Sequence, residues 1–416
     1  MEEYLTIYGE NAKQAARVLS SATSGIKNSA LLNAANKLVE KKEDILNANK
    51  IDLERAAEKG MSKSMLDRLA LNEERIENMA EGLKQLTRLE DPIGEIVEGW
   101  TRPNGLEIIK KRVPLGVISI IFESRPNVTA DAAGLCLKSG NACILRGGSE
   151  AISSNIAIAK IISDAIEEVG LPRSCVQLID NTSREISNAL MHLNKYIDVL
   201  IPRGGASLIK AVLENSTIPV IETGTGNCHI FVDREADLQM ALDIIVNAKV
   251  QRPSVCNAVE TVLIDEKIAE EFLPKMVMVL NSFDVDIRGC NKSKTICEDI
   301  NDAVESDWET EYNDLILAVK VVDGIDEAIL HISKYGTLHS EAIITSDYSK
   351  AMKFQKEVDA ACVYVNASTR FTDGFEFGMG AEIGISNQKL HARGPMGLKE
   401  LTTIKYCING SGQIRT

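Results

Sequence analysis

A cysteine that closes a polar loop is the first residue of this chain equipped for covalent chemistry. In Val250-Gln251-Arg252-Pro253-Ser254-Val255-Cys256-Asn257-Ala258-Val259-Glu260-Thr261, a Pro-containing loop runs into the alternating pattern Ala258 to Ile264. That predicts a loop-to-strand junction, with Cys256 turned toward a cleft. A thiol attacks a carbonyl carbon as thiolate, and Arg252 with the amides around Asn257 offers the positive, hydrogen-bond-rich setting that ionisation needs. Most cysteines outside disulfides are instead small buried hydrophobes, so the residue types alone leave both readings of Cys256 open. A second candidate is Gly204-Gly205-Ala206-Ser207, which opens a helical stretch. Unpaired amides and the helix dipole can hold a diphosphate there, although Gly pairs also mark ordinary turns.

These groups need a scaffold, and the hydrophobic pattern describes one. From Asn11 to about Leu89 apolar residues recur at three- and four-residue spacing, which predicts a series of amphipathic helices. Two alternating runs, Gly94 to Trp100 and Leu106 to Val113, flank the turn Arg102-Pro103-Asn104-Gly105 and predict a hairpin that pairs with another subunit. From Leu115 short apolar runs alternate with helices. Strands are expected at Gly116–Phe122, Ala142–Leu145, Val176–Ile179, Ile197–Ile201 and Pro219–Ile221. This succession implies a parallel sheet with crossover helices, which binds ligands beyond the carboxyl ends of its strands. Glu123 to Asn127, Arg146-Gly147-Gly148-Ser149, Gly204 to Ser207 and Glu222-Thr223-Gly224 all fall there. A second α/β series follows, with strands at Glu260–Ile264, Val285–Arg288, Leu315–Val322, Ala342–Thr345 and Cys362–Asn366. Loops are expected over Arg370 to Ser386. The last strand, Leu398 to Ile408, is expected to complete the hairpin sheet across a subunit contact.

Ile221-Glu222-Thr223-Gly224-Thr225-Gly226-Asn227, followed by His229-Ile230-Phe231-Val232-Asp233 and at a fitting distance by Cys256, resembles the segment that leads to the catalytic cysteine in the aldehyde dehydrogenase superfamily. Phe122 to Thr129, Ile201 to Gly205, Gln251 to Asn257 and His391 to Leu398 resemble, in order, the hallmarks of the branch that reduces an acyl phosphate. The resemblance covers nearly the whole chain. It implies an aldehyde dehydrogenase-like α/β fold with two parallel-sheet domains and a β-hairpin oligomerisation element. The cofactor domain is expected over 1–94 and 114–225, the catalytic domain over 226–390, and the oligomerisation element over 95–113 and 391–416. The reaction it implies is NADPH-dependent reduction of L-glutamyl 5-phosphate to L-glutamate 5-semialdehyde and phosphate in proline biosynthesis, by a homo-oligomer that works with a glutamate 5-kinase.

The resemblance also distributes roles. Cys256 is the expected nucleophile, and Asn127 the amide that holds the oxyanion, with helix capping as its bland alternative. Arg146 stands where the superfamily usually has a ribose-contacting Lys, and an Arg fork can grip a 2′-phosphate, which favours NADPH. With Gly147, Gly148, Ser149, Gly204, Gly205, Ser207, Thr223 and Gly224 it forms the expected cofactor set. Glu311 matches the glutamate that fixes the nicotinamide ribose, and is otherwise one surface carboxylate of the acidic run Glu305 to Asp314. Glu222 matches the water-activating glutamate of hydrolysing relatives and is expected to serve the cofactor or the loop geometry. Arg125, Arg252 and Arg370 are candidates for the substrate carboxylate or phosphate.

Composition narrows the alternatives. A formal charge of -14 without a basic block argues against nucleic-acid or anionic-membrane partners. The start Met1-Glu2-Glu3-Tyr4-Leu5-Thr6 has neither a basic beginning nor an apolar run, so a cytosolic protein is expected. Nine cysteines without a C-x-x-C pattern point to reduced thiols rather than a disulfide framework or a zinc site. There is no G-x-G-x-x-G fingerprint and no P-loop. Two further readings stay open: a hydrolytic NAD(P)-dependent aldehyde dehydrogenase, and a cysteine hydrolase, for which His229 is the histidine nearest Cys256 in sequence.

Overall fold

The structure, a computed structural model, describes residues 2–415. The chain forms two compact units. Met1–Thr223, Gly378–Gly384 and Met396–Thr416 make the first, and Gly224–Phe377 with Ile385–Pro395 makes the second.

The first unit opens with helices α1 (Glu2–Leu19), α2 (Ser24–Glu40), α3 (Lys42–Glu58), α4 (Lys63–Leu69) and α5 (Glu73–Arg88). Their starts follow from capping: the side chain of Thr23 accepts from the Ile26 amide, and Asn72 accepts from the Arg75 amide. In α5 the buried residues Ile76, Met79, Ala80, Leu83 and Leu86 keep the three- and four-residue rhythm read from the sequence. β1 (Ile96–Thr101) and β2 (Glu107–Pro114) form the expected hairpin, closed where Gly105, at φ 83°, donates to the Arg102 carbonyl. The last strand, Thr402–Asn409, pairs with β2 of the same chain, Thr402 opposite Pro114 and Asn409 opposite Glu107. The expectation that it completes this sheet across a subunit contact is corrected: the chain supplies its own third strand. β1 remains an edge, exposed at every position.

Between the hairpin and its third strand lies a parallel sheet of β3 (Val117–Phe122), β4 (Ala142–Arg146), β5 (Val176–Leu178) and β6 (Val199–Arg203), in the order β5-β4-β3-β6. β3 is buried throughout, as a strand covered by helices on both faces must be. Helices α6 (Asn127–Lys138), α7 (Ile152–Glu168), α8 (Arg184–Leu190) and α9 (Ala206–Asn215) make the crossovers. The strand expected at Pro219–Ile221 is reduced to one bridge, Val220 to Leu200. Pro219 has no N–H to give, so the contact ends almost where it begins.

The second unit is a seven-stranded, all-parallel sheet in the order β10-β9-β11-β8-β7-β12-β13. Its strands are β7 (Cys228–Val232), β8 (Val259–Asp265), β9 (Asp286–Gly289), β10 (Asn301–Asp302), β11 (Ile316–Val322), β12 (Ser340–Ile344) and β13 (Cys362–Val365). The period-2 alternation sorts its side chains between two cores. Ile230, Val232, Val262, Ile264, Ala342 and Ile344 join the helices α10 (Leu238–Val250) and α11 (Glu266–Asn281) on one face. Phe231, Leu263 and Ile343 meet Ile332 and Phe354 on the other. No helix among the described residues is long and apolar enough to cross a membrane.

Candidate active site

In the second unit Cys256 sits in the turn between α10 and β8, half-buried, as the loop-to-strand junction requires. Its carbonyl is held from two sides. The buried Cys228 thiol donates to it at 3.2 Å, and burial pushes that thiol well up, which keeps the proton on it. Gly226 approaches so closely that a Cβ there would lie 1.5 Å from the Cys256 carbonyl oxygen. Only glycine fits.

The next residue anchors the loop. Asn257 donates to the Arg370 and Thr372 carbonyls at 3.2 and 2.9 Å, and its own carbonyl accepts from the Thr369 hydroxyl at 2.7 Å. Arg370 returns the contact through Nη1 to the Asn257 side-chain oxygen and through Nε to Gln251 at 3.1 Å. Burial and the nearby Arg252 pull the Arg370 guanidinium below its ordinary value, while Cys256 and Asp373 pull it back. The thiol therefore has guanidinium charge beside it, the setting that favours a thiolate. His229 is elsewhere: it is fully buried, with Nδ1 3.0 Å from the Glu341 carboxylate.

Other candidates of this unit gather around the same loop. Glu311 accepts from the Gly226 amide at 2.9 Å, so it is tied to the backbone that touches Cys256 and is more than a surface carboxylate. Gly224 donates to the Ile385 carbonyl at 2.8 Å, and a Cβ there would strike Asn387.

In the first unit the candidates stand beyond the carboxyl ends of the strands, as the topology predicts. Arg146 ends β4, donates through Nη2 to the Thr182 carbonyl at 2.7 Å, and keeps a buried Nε without a hydrogen-bond partner. Burial pulls its guanidinium down, and Glu150 and Glu123 pull it back. A Cβ at Gly147 would lie 2.1 Å from the Asn155 side-chain nitrogen and one at Gly148 2.2 Å from a Glu150 carboxylate oxygen, so either side chain would have to shift to admit one. Ser149 opens a short 3₁₀ turn. Gly204, Gly205 and Ser207 do open a helix, α9, but the Gly205 amide already donates to the Glu123 carboxylate at 3.0 Å. A carboxylate of the protein itself stands where the sequence suggests a diphosphate. Thr223 is buried, its hydroxyl on the Pro202 carbonyl at 2.8 Å, and Glu222 beside it is half-buried.

Asn127 is not the cap of α6. The helix starts at Asn127 itself after Pro126, and the Asn127 amide donates to Asp131 at 2.9 Å. Desolvation pushes the Asp131 carboxyl up to about 6 against the pull of Asn127 and Arg203. Arg125 lies just before this helix, its carbonyl accepting from the Val128 amide. Sequence reasoning did not single out Ser124, a non-glycine residue at φ 43° whose amide and hydroxyl both donate to Glu150 at 2.7 and 2.8 Å. Gly226 stood there only as a letter of a motif and Cys228 was skipped, since nothing in the sequence marks their contact with Cys256.

A half-buried thiol in a loop ahead of a parallel strand, in a chain that also carries glycine turns at the ends of a second parallel sheet, is the pattern of an aldehyde dehydrogenase-like α/β protein. The sequence profile of the aldehyde dehydrogenase family matches residues 2–296. The chain is 63% identical to the gamma-glutamyl phosphate reductase of Clostridium botulinum over 411 residues, 99% of each chain. The crystal structure of the gamma-glutamyl phosphate reductase of Thermotoga maritima superposes with a TM-score of 0.96 at 52% identity, covering 99% of this chain and 100% of that one. An acetylating aldehyde dehydrogenase of Geobacillus thermoglucosidasius, 19% identical, shares the fold at a TM-score of 0.70 over 100% of this chain and 98% of its own. The chain belongs to the aldehyde dehydrogenase family, among its gamma-glutamyl phosphate reductases.

Proposed function

We propose that this protein reduces L-glutamyl 5-phosphate to L-glutamate 5-semialdehyde and phosphate in proline biosynthesis, with NADPH as reductant and Cys256 as nucleophile. The observation that carries the reading is the Cys256 loop, held by Gly226, Cys228 and Asn257 beside the Arg370 guanidinium. Relatives named for that reaction supply the substrate.

The cofactor set is tested by what its residues lack. The orphaned, buried Arg146 Nε needs an acceptor, and the α9 N-terminus already attracts a carboxylate, so both suit an anionic ligand. Arg146, Gly147, Gly148, Ser149, Gly204, Gly205 and Ser207 would hold its phosphates and ribose, and Glu222, Thr223, Gly224 and Glu311 its nicotinamide half. When bound, the nicotinamide supplies a hydride. Cys256, as thiolate, attacks the acyl carbon, a C–S bond forms, and phosphate leaves with the electrons of the broken C–O bond. After reduction of the thioester, the Cys256 amide and the Asn127 side chain hold the thiohemiacetal oxyanion, each donor contributing about 2.7–4 kcal/mol. Its collapse breaks the C–S bond and returns the thiolate. Arg125, Arg252 and Arg370 are read as the guanidinium groups that receive the substrate's anions, Arg370 while bracing the loop.

The exposed edge β1, with Ile96, Val97 and Trp100 beside Tyr406 and Ile408 of the third strand, is read as the homo-oligomer contact. A cytoplasmic setting and functional association with a glutamate 5-kinase complete the reading. The test is semialdehyde-dependent reduction of NADP with and without phosphate, run beside NAD, in the wild type and Cys256→Ala. Phosphate dependence that vanishes in Cys256→Ala is expected. A robust phosphate-free rate would move the protein to the hydrolytic class, and retained turnover in Cys256→Ala would remove the nucleophile.

A further inference from the structure

A buried ion pair at the neck of the Cys256 loop, which none of the steps above uses, is linked through the exposed Asn313 and the half-buried Glu311 back to the loop's own backbone. Lys249, the penultimate residue of α10, and Glu260, the second residue of β8, are both fully buried, with Nζ 2.6 Å from Oε2. They stand at the two ends of the segment that carries Cys256 and close it at the neck. The other Glu260 oxygen accepts from the Asn313 amide at 3.3 Å. Asn313, at φ 57°, belongs to the same turn as Glu311, which accepts from Gly226. Gly226 lies against the Cys256 carbonyl. The contacts thus begin at the neck of the loop and return to the nucleophile's own backbone. Tyr312, between Glu311 and Asn313, faces the Lys249 ammonium with its ring at 6.0 Å and donates its hydroxyl to Asp307 at 2.7 Å.

Two buried charges are a costly way to close a loop, since an apolar pair of the same volume holds as tightly or more so. Burial pushes the Glu260 carboxyl up to about 7 and the Lys249 ammonium down, each partner resisting the shift of the other. What the pair adds is direction: one oxygen is turned to Lys249 and the other to Asn313. We propose that Lys249 and Glu260 are positioning residues for the nucleophile. They fix the neck of its loop and, through Asn313 and Glu311, the Gly226 backbone on which the Cys256 carbonyl rests. The inference builds on the reading of Cys256 given above.

Lys249→Met alone strands a buried carboxylate and can prevent folding, so the decisive variant is the double one, Lys249→Met with Glu260→Leu, in the full chain. It should melt no lower than wild type, because the apolar pair removes both charges together. Its kcat should fall about a hundredfold with KM values within about twofold, the signature of a reacting group misplaced by about 1 Å. Alkylation of Cys256 by iodoacetamide, mapped by mass spectrometry against the other half-buried thiols Cys290, Cys297 and Cys407, should slow about tenfold. Wild-type kcat and alkylation in the folded double variant would overturn the proposal. So would failure of that variant to fold, which would assign the pair to stability. Wild-type enzyme that stays active after alkylation of Cys256 would refute the nucleophile instead.

Discussion

Gly226→Ala is the sharpest probe of the candidate site, because a single methyl group is aimed at the backbone of Cys256, the proposed nucleophile. Gly226 does not have a positive φ, so alanine suits its backbone and the effect is purely steric. The new Cβ would lie 1.5 Å from the Cys256 carbonyl oxygen, 2.4 Å from its carbonyl carbon and 2.7 Å from its Cα. An ordinary contact needs at least 3.4 Å, so in a close-packed interior the two backbones must part by about 2 Å. Overpacking of this kind costs about 1–3 kcal/mol of stability. The larger consequence is kinetic, since a misplacement of about 1 Å already costs about a hundredfold. The assay is phosphate-dependent semialdehyde oxidation, with the melting temperature and the Cys256 alkylation rate measured on the same preparation. A kcat at least about a hundredfold down in a protein that still folds is expected. A folded Gly226→Ala enzyme with wild-type kcat and wild-type alkylation would refute the close approach and the placement of the nucleophile built on it.

Arg146→Ala should weaken NADPH more than NADH, since only the former loses a charge-assisted contact of about 1.5–3 kcal/mol; titration with both cofactors checks this, and equal weakening removes the 2′-phosphate role. Glu222→Gln should keep the phosphate-dependent rate within about tenfold, because phosphate is already an anionic nucleophile, whereas loss of a true general base costs about a hundredfold or more. Burial, with the charges of His229, Lys320 and Lys334, pulls the His331 imidazole down to about 2. The unfolded chain then takes up this proton near its ordinary pKa of about 6.5 while the folded chain does not, so stability falls by about 1.4 kcal/mol per pH unit as pH drops through that window. The raised Glu260 and Asp131 carboxyls act in the opposite direction over the same range, so the check is the difference: denaturant titrations between pH 7 and pH 4 should give slopes for the wild type and His331→Gln that differ by about one proton, about 1.4 kcal/mol per pH unit.

What the sequence made legible was whatever is periodic or local. The buried strand β3 is apolar but for Ser119, the hairpin announces itself by its Pro-Asn-Gly turn, and the Cys256 junction by a Pro loop before the alternation that becomes β8. Contacts between distant residues left no such trace. Lys249 and Glu260 read as two ordinary charges in a chain that is 25% charged, and only the fold shows that they meet fully buried. Glu123 read as a motif letter, yet its carboxylate takes the Gly205 amide. Asn127 invited a capping role because Asn often caps, whereas the helix starts one residue earlier and the amide finds Asp131. Pro219–Ile221 had the composition of a strand, but its one bridge shows how a proline withholds the ladder.

The candidate groups of the second unit collect where its parallel strands begin: Gly224 and Gly226 ahead of β7, Cys256 ahead of β8, Glu311 ahead of β11. The opposite rim, where β8, β11 and β12 end and α11, α12 (Gly324–Tyr335) and α13 (Tyr348–Glu357) take over, bears none of them. That rim is a handle for engineering. Tyr348, 77% exposed just past β12, is a natural attachment point for a fluorophore or a surface linker. An enzyme tethered there is held a full strand's length from the Cys256 loop.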